Sequence, residues 1–219
     1  MTRSTHKIPI GVLISGSGTN LQALIDACAD PAFPAEIAVV ISNRRHAFGL
    51  ERARKAGIPA VWLWHKPHPS REAYDAVLVD TLRAHGVQWV CMAGFMRIIT
   101  RVLIDAYAGK MLNIHPALLP AFPGVDGPGQ ALDHGAQVAG CTVHIVTEGV
   151  DAGPILVQAA VPVLADDDRD ALAARILTQE HRIFPLALRW AAEGRIRVDG
   201  DRAHVDLLPG ERRSFLVDA

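Results

Sequence analysis

The stretch Ile8-Pro9-Ile10-Gly11-Val12-Leu13-Ile14-Ser15-Gly16-Ser17-Gly18-Thr19-Asn20 decides the fold class. Ile8 to Ser15 is a short apolar run with branched side chains and reads as a strand. The glycines after it let the backbone turn sharply, and Asn20 to Ala29 continues with helical spacing. The same unit recurs outward from there. Glu36 to Ser42 is a second strand, followed by a helix over Ala47 to Ala56 that Gly57 closes. Ala60 to Leu63 is a weak third strand, Arg71 to His85 a helix stopped by Gly86, and Trp89 to Ala93 a fourth strand. Strands alternating with helices predict an α/β fold, an open, mainly parallel twisted sheet with helices on both faces, Rossmann-like in its N-terminal half. Ligands of such sheets gather outside the carboxyl ends of the strands.

Beyond residue 100 the pattern changes. Lys110 to His115 reads as a strand, and Pro116 to Gly129 as a loop rich in Pro and Gly. Cys141 to Thr147 and Ile155 to Val163 are β-rich. Asp166 to Asp168 then opens a long helical pattern, where carboxylates suit the positive end of the helix dipole. Pro185 is expected to kink or split that helix. Arg195 to Leu207 pairs two short strands around Asp199-Gly200, a C-terminal β-hairpin. The chain shows no repeats, low-complexity segment or Ser/Gly linker, so one domain is expected.

Composition narrows the function classes. Half of the residues (50%) are hydrophobic, enough for one sizeable core. Lys plus Arg (22) nearly balance Asp plus Glu (23), a net charge of -1 that points away from nucleic acid and membrane surfaces. The basic N-terminus lacks a cleavage site, residues 1–7 read as a disordered lead, and no stretch has the length to cross a bilayer. Cys28, Cys91 and Cys141 are widely spaced, show no metal-ligand pairing and read as core filler. A reducing, cytoplasmic location is expected.

The turn Gly16-Ser17-Gly18-Thr19-Asn20 offers free N–H groups at a helix start, for which phosphate is the natural guest. A dinucleotide fingerprint would carry a third glycine where Leu21 stands. It would also carry an acidic residue after the second strand, where this chain has Arg44 and Arg45, so NAD is not expected. A glycine turn also joins elements without any ligand, and the motif alone leaves both readings open.

Asn113-Ile114-His115 ends a strand just before Pro116. Strand periodicity places Asn113 and His115 on one face, an amide and an imidazole suited to an oxyanion formed in acyl transfer. Asp151, in Thr147-Glu148-Gly149-Val150-Asp151-Ala152-Gly153-Pro154, lies among glycines that ordinarily make a turn. Beside His115 it would favour the protonated imidazole, but spacing does not bring the two together. No Gly-x-Ser-x-Gly elbow, Cys-His nucleophile or His/Cys zinc spacing is present.

Taken in order, Gly16 to Asn20, Ala93-Gly94-Phe95-Met96-Arg97-Ile98, Leu112-Asn113-Ile114-His115-Pro116-Ala117-Leu118-Leu119-Pro120 and Val150-Asp151-Ala152-Gly153-Pro154 resemble the phosphoribosylglycinamide formyltransferase family. The resemblance runs from about Ile8 to Arg195 and implies the formyltransferase fold. It implies that Gly18, Thr19 and Asn20 hold the phosphate of glycinamide ribonucleotide, with Leu177, Thr178, Gln179 and Glu180 lining the same site. It implies His115 as general acid, Asn113 at the formyl oxygen and Asp151 tuning the histidine. Arg71, Met96, Arg97, Ile98, Ile99, Asn113 and the loop Thr147, Glu148, Gly149, Val150 and Asp151 would contact 10-formyltetrahydrofolate, a consumed co-substrate. Residues 8–100 would form a nucleotide-binding half, 101–195 a folate-binding and catalytic half, and 196–219 the hairpin and tail. The implied substrates are small molecules; a homo-oligomer is not predicted.

Read without the resemblance, Arg71 is a solvated helix start, Met96 and Ile98 ordinary core, and Glu180 a helix-surface charge. The stretch Gly124-Val125-Asp126-Gly127-Pro128-Gly129-Gln130 departs from members with histidines there and leaves Asp126 without a role. His144 shares a strand face with Thr142 and is either near the site or a bonded core histidine. Methionyl-tRNA formyltransferase and formyltetrahydrofolate hydrolase share the Asn, His and Asp pattern. They are set aside because no C-terminal barrel or N-terminal regulatory domain is expected here. A non-catalytic nucleotide-binding module is the remaining alternative, and convergence of Asn113, His115 and Asp151 decides against it.

Overall fold

In a computed structural model, residues 7–216 are described. The elements, in chain order, are β1 (Ile8–Ile14), α1 (Thr19–Ala29), β2 (Ala35–Ser42), α2 (Phe48–Lys55), β3 (Ala60–Trp62), α3 (Arg71–Ala84), β4 (Trp89–Met92), α4 (Arg101–Ala106) and β5 (Met111–His115). They continue with α5 (Gly127–Asp133), β6 (Val138–Ile145), β7 (Ile155–Pro162), α6 (Arg169–Ala192), β8 (Ile196–Asp199), β9 (Arg202–Val205) and β10 (Ser214–Leu216).

Eight strands form one sheet in the order β10-β7-β6-β5-β4-β1-β2-β3, and β8 pairs with β9 in a separate antiparallel hairpin. Among the described residues, only β6 runs against its neighbours in the large sheet. β1 pairs with both β2 and β4, so the order reverses there. The crevice at that reversal lies at the carboxyl ends of β1 and β4, between the glycine turn and the segment after Met92.

Side-chain alternation sorts the sheet into two cores. On one face Leu112, Ile114, Cys141, Val143 and Ile145 pack with Ile176, Phe184 and Leu188 of α6 and with Leu21 and Leu24 of α1. On the other, Leu13, Val39 and Val90 pack with Tyr74, Leu78 and Leu82 of α3 and with Leu103 of α4. Asn113 and His115, alternating with the first set, project to the second face. His144 and Thr142 of β6 lie directly opposite them in register.

Several expectations are corrected. α6 runs unbroken through Pro185. The missing N–H and ring clash cost about 3 kcal/mol in an isolated helix, but burial of Leu172, Ile176, Ile183, Phe184, Leu188 and Trp190 along it keeps this one from splitting there. The expected Pro/Gly loop contains α5, short and started by Asp126, whose carboxylate accepts from the Gly129 N–H at 3.2 Å. A Cβ on Gly129 would collide with that carboxylate, which explains the glycine. α4 and β10 carried no periodic signal in so few residues. The expected lead falls outside the described residues except Lys7, whose ammonium donates to the Cys28 and Asp30 carbonyls at 2.9 and 2.8 Å. The Cys91 and Cys141 thiols are wholly buried and Cys28 partly so; burial pushes the Cys28 thiol up to about 12 and the other two higher still.

Candidate active site

The glycine turn is shaped by Gly18, whose φ of 71° lies in the left-handed region that side chains resist. Gly49 of α2 abuts it so closely that a Cβ on Gly18 would lie 2.6 Å from the Gly49 Cα. The first bond of α1 runs from the Gln22 N–H to the Gly18 carbonyl, leaving the N–H groups of Thr19, Asn20 and Leu21 outside the helix ladder. Asn20 Nδ2 donates to Glu180 Oε2 at 2.6 Å, joining residues 160 apart. Glu180 is thus buried beside the turn and is no surface charge. Burial raises its carboxyl above the usual range, and the Asn20 amide only partly opposes this. The Asn20 Oδ1 is buried without a partner among the described residues. Leu177 is half-buried, while the Thr178 hydroxyl bonds the Arg175 carbonyl and Gln179 bonds Thr178 and Arg182. Among the described residues, neither Thr178 nor Gln179 bonds the turn.

Asn113, His115 and Asp151 converge. His115 Nδ1 lies 3.3 Å from Asp151 Oδ2, and Asn113 Nδ2 donates to Asp151 Oδ1 at 3.3 Å. The loop carrying Asp151 follows β6, the one reversed strand, and folds back over the face where Asn113 and His115 point. His144 joins them. Its Nδ1 lies 3.0 Å from the Ile145 carbonyl, and its Nε2 lies 3.0 Å from Asn113 Nδ2 and 3.7 Å from Asp151 Oδ1. His115 and His144 are buried, and Asp151 is 12% exposed.

The other nitrogen of His115 is also occupied: Nε2–H donates to the Phe122 carbonyl at 2.9 Å. Both ring nitrogens face oxygen acceptors, so a ring with a single N–H satisfies only one of them. Phe122 and Asp151 hold left-handed backbones, φ 55° and 52°, a conformation uncommon for non-glycine residues and concentrated at functional sites. Two residues beyond Phe122, the Gly124 N–H donates to Asp151 Oδ2 at 2.8 Å. Burial alone would raise the Asp151 carboxyl. The His144 ring, the Gly124 N–H and the His115 ring outweigh it and hold the group below its ordinary value, ionised.

The segment after β4 forms a strap tied to Ser15 at Met96 and to Asp75 at Thr100. Met96 and Ile98 are 65% and 62% exposed, which corrects their reading as core. Arg97 lies over the Tyr74 ring at 4.6 Å, with its Nε buried and unpartnered, and Ile99 is half-buried. The Met96 N–H donates at 2.8 Å to the Ser15 hydroxyl, which itself donates to Asn43 Oδ1. Arg71 is exposed at the start of α3. Glu148 pairs loosely with Arg101 at 3.9 Å, and half-buried Thr147 with exposed Gly149 and Val150 completes the loop up to Asp151.

Reasoning from sequence left His144 undecided and gave no role to Phe122, Gly124, Ser15 or Asn43. Strand alternation carried a signal for His144, since it falls opposite Asn113 once β5 and β6 pair. The backbone groups carried none. Asp126 proves to be a helix cap whose carboxylate also accepts from Arg169 Nε at 2.6 Å. An imidazole, an amide and an ionised carboxylate around one point are the groups that acid–base chemistry requires.

A profile of the formyl transferase family matches residues 9–188. Phosphoribosylglycinamide formyltransferase of Escherichia coli (strain K12) is 47% identical over 197 residues, 90% of this chain and 93% of that one. Trifunctional purine biosynthetic protein adenosine-3 of Drosophila pseudoobscura pseudoobscura is 52% identical over 190 residues, 86% of this chain; the chain spans only 14% of that relative's length. The crystal structure of glycinamide ribonucleotide transformylase 1 from Symbiobacterium toebii is similar with a TM-score of 0.90 at 54% identity, covering 93% of this chain and 95% of that one. Fold and relatives agree: the chain belongs to the formyl transferase family, within it to the phosphoribosylglycinamide formyltransferases, and is a formyl-transferring enzyme.

Proposed function

We propose that the enzyme moves the formyl group of 10-formyltetrahydrofolate to the amine of 5'-phosphoribosylglycinamide, giving formylglycinamide ribonucleotide and tetrahydrofolate in purine biosynthesis. The observation that carries this reading is the convergence of Asn113, His115 and Asp151 in one cluster. The nucleotide phosphate sits on the free N–H groups of the glycine turn, and the Asn20–Glu180 pair borders its ribose. The folate lies along Met96 to Ile99 and the loop Thr147 to Asp151, its ring system on apolar side chains otherwise left in water.

The neutral amine attacks the formyl carbon, and the formyl oxygen becomes an oxyanion. The short contacts of the cluster, to Phe122, Ile145 and Gly124, fix the rings and the carboxylate. The two contacts at 3.3 Å, from Asn113 and from His115 Nδ1 to Asp151, are long enough to yield to a reactant. An oxyanion there receives Asn113 Nδ2–H and His115 Nδ1–H. Nδ1 then delivers its proton to the departing folate nitrogen. The proton shed by the attacking amine passes to Asp151 through water, so no side chain is acylated. Holding both molecules in line supplies much of the acceleration.

The test mixes purified enzyme with 10-formyltetrahydrofolate, with and without glycinamide ribonucleotide, and follows deformylation by absorbance. Turnover that requires the nucleotide is the expected result. Turnover without it identifies a hydrolase, and none in either mixture overturns the assignment.

A further inference from the structure

Asp75 is the most deeply buried carboxylate on α3, 1% exposed among Tyr74, Leu78, Val79 and Leu82. Burial pushes its carboxyl above the usual range, and only Thr100 and the nearby Arg97 charge pull it back. A leucine at this position would pack the same core without that desolvation cost. What the carboxylate does hold is specific: Oδ2 accepts from the Thr100 N–H at 2.6 Å and from the Thr100 hydroxyl at 2.8 Å. Thr100 stands at the N-cap of α4, yet its hydroxyl makes no bond to that helix, because it is turned to Asp75.

Thr100 is the rear end of the strap. The front end is tied by the Met96 N–H to the buried Ser15 hydroxyl at 2.8 Å. Between the two ties Arg97 rests on the ring of Tyr74, the neighbour of Asp75 on α3, and the Tyr74 hydroxyl is itself bonded to the Leu63 carbonyl at 3.3 Å. A backbone pinned at both ends keeps Met96 and Ile98 exposed, although burial elsewhere would draw apolar side chains in. Pre-ordering of this kind lowers the entropy lost when a ligand settles on the segment.

We propose that Asp75 is a positioning residue for formyl-donor binding: through Thr100 it fixes the strap Met96 to Ile99 in the conformation that receives the donor. This rests on the reading that the strap is the folate site, and the experiment separates the two. Steady-state constants for both substrates and calorimetric binding of tetrahydrofolate are measured for Asp75→Asn, Thr100→Val, Thr100→Ser and the double variant Met96→Ser/Ile98→Ser. Asp75→Asn and Thr100→Val are expected to raise the donor KM and weaken tetrahydrofolate binding by about tenfold, with kcat and the nucleotide KM changed by less than about twofold. Thr100→Ser, which keeps the hydroxyl, is expected to match the parent. If Asp75→Asn unfolds, Thr100→Val alone carries the test. Unchanged donor binding in Thr100→Val and Asp75→Asn, or an equal rise in both KM values, overturns the positioning role. If the double variant also binds tetrahydrofolate normally, the strap is not the folate site and the underlying reading fails with it.

Discussion

His115 stands between the Phe122 carbonyl on one nitrogen and the Asp151 carboxylate on the other, and that placement makes the cluster responsive to single-atom changes. Asp151→Asn removes the charge opposite the imidazole, and turnover is expected to fall by about a hundredfold or more with the fold retained, measured by deformylation rate and circular dichroism. The same variant has a signature in stability. A carboxyl held below its unfolded value, about 3.9 for Asp, stabilises the fold above that pH and loses the contribution as pH falls through the folded value. The parent is therefore expected to melt above Asp151→Asn at pH 7, the gap closing on acidification below about pH 4. Glu180 has the opposite sign. Its raised value favours the folded state while the group is protonated, and the advantage disappears as pH rises through the folded value. Glu180→Gln is expected to melt higher than the parent at pH 8, and an unchanged melting temperature there removes the desolvation account. What could be read from residue type was the amide, the imidazole and the carboxylate. What could not was the pair of backbone groups, Phe122 O and Gly124 N–H, that hold them, because every residue type carries the same carbonyl and N–H.

Among the elements, the glycine turn and α2 are fitted to each other. Gly18→Ala places a side chain on a left-handed backbone, at about 1–2 kcal/mol, and drives it against the Gly49 backbone. The variant is expected to lose about 2 kcal/mol or more in denaturant melts and to bind nucleotide more weakly. A nucleotide KM unchanged in a folded variant tells against phosphate binding at this turn. The turn and the strands around it were legible because apolar runs and glycines act locally. α4 and α5 were not, since so few residues give no period, and α5 depends on Asp126 adopting a left-handed backbone. Pro185 misled for the converse reason: a local cost read correctly was overruled by the long buried face of α6.

Across the whole molecule, the reversed strand β6 sends its following loop back over the sheet, so that the carboxylate meets an imidazole far from it in the chain. No periodicity reports such a meeting; only the pairing of strands produces it. At the far edge, β10 covers β7, backed by the Arg213 guanidinium on the Ile155 and Leu156 carbonyls and by the Arg195–Glu211 pair, which holds the Glu211 carboxyl down at about 2. Ending the chain after Glu211 bares the β7 edge and is expected to raise aggregation on heating, followed by light scattering. A truncated chain that stays monomeric through its melt shows the edge to be protected otherwise. The three cysteines have a practical consequence. With each thiol sealed in the core or held far above physiological pH, the enzyme is expected to be inert to maleimides. A cysteine introduced at exposed Val150 would then be the sole labelling point, so that a dye beside the crevice could report occupancy without removal of any native residue.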